Sequence, residues 1–249
     1  MSNTQSIGIF DSGLGGTSIW REISAMLPFE NTIYLADSKN APYGKKTIEN
    51  IIALSVKNTE VLLNKNCKLI VVACNTATTN AIDFLREAYD VPFIGIEPAI
   101  KPAAIQTQSN CVGILATKGT LNSALFSKTS VKFSSDVEIV EQVGSGLVEL
   151  IEDGKLNSDR MTSLLHKYLD PMLKKNIDYL VLGCSHYPYL IPLIQQIVGY
   201  KVKIIDSGFA VAKQTNAILT KYKLETDSTI KGQHQFYSNA NVNAYKIFW

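Results

Sequence analysis

The sequence predicts an α/β protein built from two similar parallel-sheet domains related by pseudo-two-fold symmetry, with the active site in the cleft between them. Three observations carry that expectation. Short runs of Ile, Val and Leu recur along the 249 residues, helical patterns lie between them, and the two halves of the series resemble each other.

The first series is Ile7–Phe10, Ile33–Ala36, Leu69–Ala73 and Phe93–Ile96; the second is Val112–Ala116, Val137–Val140, Tyr179–Leu182 and Val202–Ile205. Continuous apolar runs of this length suit strands of a parallel sheet, which are buried on both faces. After Gly44, residues Ile48, Ile51, Ile52, Ser55, Thr59, Leu62 and Leu63 share one face at helical spacing. A second helix is expected over Asp159 to Lys174, bent or ended by Pro171. Strands alternating with helices define the fold class.

The duplication is visible in both strands and thiols. Ile7-Gly8-Ile9-Phe10 is answered by Val112-Gly113-Ile114-Leu115, 105 residues later. The third run of each series leads into a cysteine, Cys74 and Cys184, 110 residues apart. Residues 1–97 with 208–249 are expected to form the first domain and 98–207 the second. The stretch after Ser207 should return to the first domain as a helix and then a polar tail from Glu225 to Asn243.

With 24 basic and 22 acidic side chains the net charge is only +2, which gives no electrostatic case for nucleic acid or an anionic membrane as partner. Met1 to Ser6 are polar, with no apolar run behind a basic start, and no stretch approaches the roughly 20 apolar residues of a membrane helix. The expectation is a soluble, cytoplasmic protein. Four scattered cysteines without a Cys-x-x-Cys pair predict neither a disulfide framework nor a zinc site. Cys67 and Cys111 read as buried small hydrophobes.

In parallel α/β sheets, ligands bind beyond the carboxyl ends of the strands. Four motifs map there: Asp11-Ser12-Gly13-Leu14-Gly15-Gly16, Cys74-Asn75-Thr76-Ala77-Thr78, Thr117 with Thr120, and Gly183-Cys184-Ser185-His186. A cysteine at such an edge lies near helical N–H groups, which favour a thiolate. The glycine turn fails the dinucleotide fingerprint, because Ser18 stands where a third glycine belongs, and no Gly-Lys-Ser/Thr follows for a phosphate loop. It reads as a tight turn bringing backbone N–H groups to a small ligand.

A Cys-His pair such as Cys184 with His186 would serve a hydrolase by covalent attack. The pseudo-repeat, however, supplies two thiols at equivalent strand ends. Inversion of a carbon centre needs that arrangement, with a base on one face and an acid on the other. Two competing classes remain at this point: an amino-acid receptor with a similar cleft, and a decarboxylase or hydrolase that uses one thiol. Dependence on both cysteines separates them.

Phe10-Asp11-Ser12-Gly13-x-Gly15-Gly16, Pro42-Tyr43-Gly44, Ala73-Cys74-Asn75-Thr76-Ala77, Gly95-x-Glu97-Pro98-Ala99-x-Lys101-Pro102 and Leu182-Gly183-Cys184-x-His186-x-Pro188 resemble the motifs of bacterial glutamate racemases, in order along nearly the whole chain. The resemblance implies cofactor-independent interconversion of L- and D-glutamate, supplying D-glutamate for peptidoglycan, by a homodimer. It makes Cys74 and Cys184 the two acid/bases, with Asp11 assisting Cys74 and His186 assisting Cys184. Glu152 matches a family glutamate near that histidine. Asp11, Ser12, Tyr43, Gly44, Asn75, Thr76, Thr120, Ser185 and His186 would bind substrate. Ser185 stands where the family usually has threonine, keeping the hydroxyl and losing a methyl. Thr162, His166 and His234 lack motif context, and the two histidines read as surface or packing residues.

Overall fold

The structure, a computed structural model, describes residues 4–131 and 136–240. All eight apolar runs form strands: β1 (Ile7–Asp11), β2 (Thr32–Ala36), β3 (Leu69–Val72), β4 (Phe93–Gly95), β5 (Cys111–Ala116), β6 (Glu138–Val143), β7 (Tyr179–Gly183) and β8 (Lys203–Ile205). A ninth, β9 (His234–Ser238), completes the set among the described residues. The helices are α1 (Thr17–Met26), α2 (Ile48–Asn64), α3 (Asn75–Ala88), α4 (Ile100–Gln106), α5 (Lys118–Leu121), α6 (Ala124–Val131), α7 (Leu147–Glu152), α8 (Asp159–Leu173), α9 (Ile191–Val198) and α10 (Gly208–Tyr222).

The strands form two all-parallel sheets, with orders β4-β3-β1-β2-β9 and β6-β5-β7-β8. Read from the other end, the second is β8-β7-β5-β6, the order of β4-β3-β1-β2 repeated. The duplication therefore holds at the level of topology, where chance likeness of apolar strings has no influence. In each sheet the chain order reverses direction between the first and third strands of the unit, and that switch point is where open α/β sheets bind ligands. The central strands β1, β3, β5 and β7 are buried along their whole length, which explains their unbroken apolar sequence.

Three local expectations need correction. The stretch called a polar tail contains β9, which pairs parallel with β2 from Thr32↔His234 to Ala36↔Ser238. Trp20 holds it by edge-on contacts with His234 and Phe236, at 5.3 and 4.8 Å between ring centroids. Residues 241–243 of that stretch lie outside the described residues. Pro171 does not end α8, which continues to Leu173. Ile48 opens α2 but is exposed, because the helix turns its core face inward only from Ile51. Beyond the second sheet, α10 packs on the first one, with Val211, Ala212 and Leu219 sharing a core with Ile19 and Ile23 of α1.

Candidate active site

Each thiol is placed by the transition from a buried strand to the element after it. Cys74 caps α3: its backbone is extended, and its Sγ accepts the N–H of Ala77 at 3.4 Å. Its thiol also lies 3.6 Å from Ser12 Oγ, at the end of the neighbouring strand β1. Cys184 directly follows β7, two residues before His186. Both thiols line one small cavity, shared with Ser12, Tyr43, Gly44, Asn75, Thr76, Thr117, Val148, Ser185 and His186. The first sheet supplies one wall and the second the other. A wider groove of about 850 Å³ lies at the opposite edge of the first sheet, lined by Cys67, Lys68, Arg86 and Phe93 among others. It contains neither Cys74 nor Cys184.

Behind Cys184 stands a buried relay. His186 Nδ1 lies 3.8 Å from Cys184 Sγ, and Nε2 lies 2.6 Å from Glu152 Oε1. Burial alone would push the imidazole pKa down, but its bonds to Cys184 and Glu152, and the charges of both groups, raise it well above the usual histidine range. As an imidazolium, His186 donates from both nitrogens, and its positive charge offsets the negative charge a sulfur carries in its basic form. Glu152 does not line the cavity and touches the imidazole from behind it.

The other wall differs. Burial pushes the Cys74 thiol pKa strongly up and the Asp11 carboxylate adds to the rise, while the Ala77 N–H and the Ser12 hydroxyl oppose it. As expected of a helix N-terminus, the Ala77 N–H acts on this cysteine in the direction of the thiolate. The helical N–H is present, but desolvation outweighs it. Burial and Asp11 thus disfavour the thiolate at Cys74, while the groups around His186 favour its charged form beside Cys184. Asp11 is itself fully buried; burial raises its pKa, and the His186 charge and the N–H groups of Gly16 and Gly13 oppose that rise. Its Oδ2 accepts those two N–H groups at 3.1 Å each, and its Oδ1 accepts the Ser185 hydroxyl at 3.1 Å. Asp11 thus reaches Cys74 through its charge, from behind the cavity wall.

The glycine turn does something other than cradle a ligand. A Cβ on Gly13 would sit 2.0 Å from Glu152 Oε1, and one on Gly15 would sit 2.2 Å from His186 Nδ1. The second domain's relay occupies the space, so only glycine permits that approach.

Of the remaining predicted residues, Asn75 is buried with both side-chain amide atoms unpartnered, facing a polar cavity. Such a group has a cost unless a ligand or water satisfies it. Thr76, Thr117 and Thr120 form a hydroxyl triangle across the cleft, with Oγ1 separations of 2.8, 3.2 and 3.1 Å. Thr120 stands behind the cavity wall, and Thr117, passed over in the sequence-derived site, lines it. Tyr43 lines the cavity too, but its hydroxyl donates to Asp37 Oδ2 at 2.5 Å and accepts from Asn58 Nδ2 at 3.0 Å. That hydroxyl is already paired within the protein. Val148 is a lining residue with no sequence signal beyond being apolar. His166 lies on the surface of α8, and all four cysteines are unpaired and buried.

Two duplicated α/β units, each contributing one thiol to a shared polar cavity, define a protein equipped for proton transfer on both faces of a small molecule. A family model described as Asp/Glu/Hydantoin racemase matches residues 7–215. A glutamate racemase from Herpetosiphon aurantiacus is 44% identical, over 95% of this chain and 93% of that one. A glutamate racemase from Francisella tularensis, solved in complex with D-glutamate, superposes with a TM-score of 0.84 at 29% identity, covering 99% of this chain and 92% of that one. The Escherichia coli glutamate racemase, solved with L-glutamate and the activator UDP-MurNAc-ala, gives 0.84 at 32% identity, covering 96% and 91%. The chain belongs to the Asp/Glu/hydantoin racemase family.

Proposed function

We propose that this protein is a glutamate racemase, interconverting L- and D-glutamate by a two-base reaction and supplying D-glutamate for peptidoglycan synthesis. The observation that carries the reading is the pair of cysteines, Cys74 and Cys184, on opposite walls of one cavity. One thiolate removes the Cα proton, and the opposite thiol returns a proton to the other face of the planar carbanion. Because the two substrates are mirror images, each thiol takes both roles. Asp11 supports Cys74, while Glu152 acts through His186 to support Cys184. Ser12, Tyr43, Gly44, Asn75, Thr76, Thr117 and Ser185 are assigned to substrate, with Thr120 holding Thr76 and Thr117. Hydroxyls, an amide and backbone N–H groups suit two carboxylates without a buried unpaired cation. The reaction needs no cofactor, because these side chains supply acid and base alike. We assign residues 1–97 and 208–249 to the Cys74 side and 98–207 to the Cys184 side, and expect a cytoplasmic homodimer.

The test is a polarimetric assay of the purified protein, dialysed against a chelator, with either enantiomer of glutamate. Optical rotation should decay to zero from both sides. Rotation that stays constant with both, or decays only with added metal, would remove the reading.

Ser185 supplies a second expectation. A hydrogen bond to a charged group contributes roughly 1.5–3 kcal/mol, so Ser185→Ala should raise KM for both enantiomers about tenfold or more. Ser185→Thr should leave KM near the parent value. Unchanged KM values in Ser185→Ala would show that the hydroxyl serves Asp11 alone.

A further inference from the structure

The turn after β1 contains a residue that belongs to both domains. The Leu14 carbonyl is held within its own turn, accepting the N–H of Thr17 at 3.0 Å and its hydroxyl at 2.6 Å. Its side chain points the other way, fully buried in the apolar cluster of the second domain with Leu147, Ile151, Leu182 and Tyr187. Its N–H donates to Glu152 Oε1 at 2.7 Å, across 138 residues of sequence. That same oxygen accepts His186 Nε2 at 2.6 Å. The flanking residues are Gly13 and Gly15, where any Cβ would strike Glu152 or His186.

We propose that Leu14 is a positioning residue for the reaction: seated in the core of the second domain, it holds its own amide against Glu152 and thereby fixes Glu152 on His186 behind Cys184. The inference rests on the racemase reading for its kinetic consequence, but its structural part stands alone. A carboxylate oxygen held by two donors has one orientation. When the Leu14 side chain no longer fills its socket, the turn is free to withdraw, and Glu152 can rotate off the imidazole. His186 then loses the carboxylate that faces its Nε2. The other groups facing His186 are the Cys184 thiol and the Ser185 hydroxyl at Nδ1, the Asp11 carboxylate from β1, and the Tyr189 hydroxyl from the turn that follows β7. None of these replaces Glu152 at Nε2.

The experiment compares Leu14→Ala, Leu14→Val and Leu14→Met with the parent. The His186 ring nitrogens are followed by NMR through a pH titration of the substrate-free protein, with His186→Asn as the assignment control. Near-UV circular dichroism verifies the fold, and kcat and KM are measured against pH in both directions. In Leu14→Ala the His186 midpoint should fall by about one pH unit or more, and kcat should drop at least about tenfold, a tenfold change corresponding to one unit of pKa. Leu14→Val should fall between, and Leu14→Met, which conserves volume, should restore both. Should the alanine variant fail to fold, the valine variant carries the same comparison. A folded variant with the parental His186 midpoint overturns the proposal, whatever its activity. A protein that proves inactive on glutamate but shows the shifted midpoint supports the positioning role while removing the racemase reading.

Discussion

Replacing either thiol by a hydroxyl, in Cys74→Ser or Cys184→Ser, should lower racemisation by at least about 10³-fold, towards the upper end of what one acid–base group contributes. Cys74 and Cys184 line one cavity from different sheets, and His186, which also lines it, stands beside Cys184 as that thiol's partner. A serine hydroxyl is a far weaker acid than a thiol. In neither variant can the missing half of the reaction be supplied by the surviving thiol, which lies on the wrong face. Because the equilibrium constant between enantiomers is unity, kcat/KM must fall by one factor in both directions. The asymmetry must therefore appear in kcat and KM separately, and in proton exchange. Each variant should still exchange the Cα proton of one enantiomer, and the two should prefer opposite ones. Near-parental racemisation in either variant would mean that one base suffices.

The second large effect belongs to Glu152. Glu152→Gln keeps the shape but removes the carboxylate at 2.6 Å from His186 Nε2. A hydrogen bond between charged partners of this kind contributes about 2 kcal/mol. The sign of the pH dependence follows from the raised pKa of His186. Its stabilising contribution is complete below the unfolded value of about 6.5 and is lost as pH rises through the higher folded value. Parent and variant should thus differ in melting temperature most near pH 6, and the difference should shrink on going alkaline. kcat should fall most in the direction that uses Cys184 as base, with kcat/KM falling equally in both. A stability difference that stays flat from about pH 6 to pH 10 would show that the pair is not an imidazolium–carboxylate pair.

Most of the fold was legible because its central strands are buried on both faces and so carry continuous apolar sequence. β9 was not, since His234-Gln235-Phe236-Tyr237-Ser238 is a largely exposed edge strand whose order comes from β2 and Trp20. The two thiols were legible through the repeat, which places both at the same strand end. The glycines of Gly13–Gly16 were visible, but their reason was not. Fold-specific contacts with Glu152 and His186 fill the space beside them, and no local pattern encodes a partner more than a hundred residues away. The same applies to Leu14, which reads as a loop hydrophobe and is a core residue of the other domain. The helix that follows Cys74 was legible and its N–H does favour the thiolate, but the desolvation that opposes it is a property of the fold and not of the local sequence.

The most direct test of the two-thiol account is racemisation in deuterated solvent, sampled at low conversion. Thiols exchange with solvent, so the protonating cysteine carries deuterium before substrate arrives. The newly formed enantiomer should contain one deuterium at Cα from its first appearance. The remaining substrate should acquire label much more slowly, because return to the original face uses the thiol that has just taken the substrate proton. Product that retains its original Cα proton, or substrate and product that label at one rate, would mean a single base serves both faces. Either result would contradict the division of labour between Cys74 and Cys184.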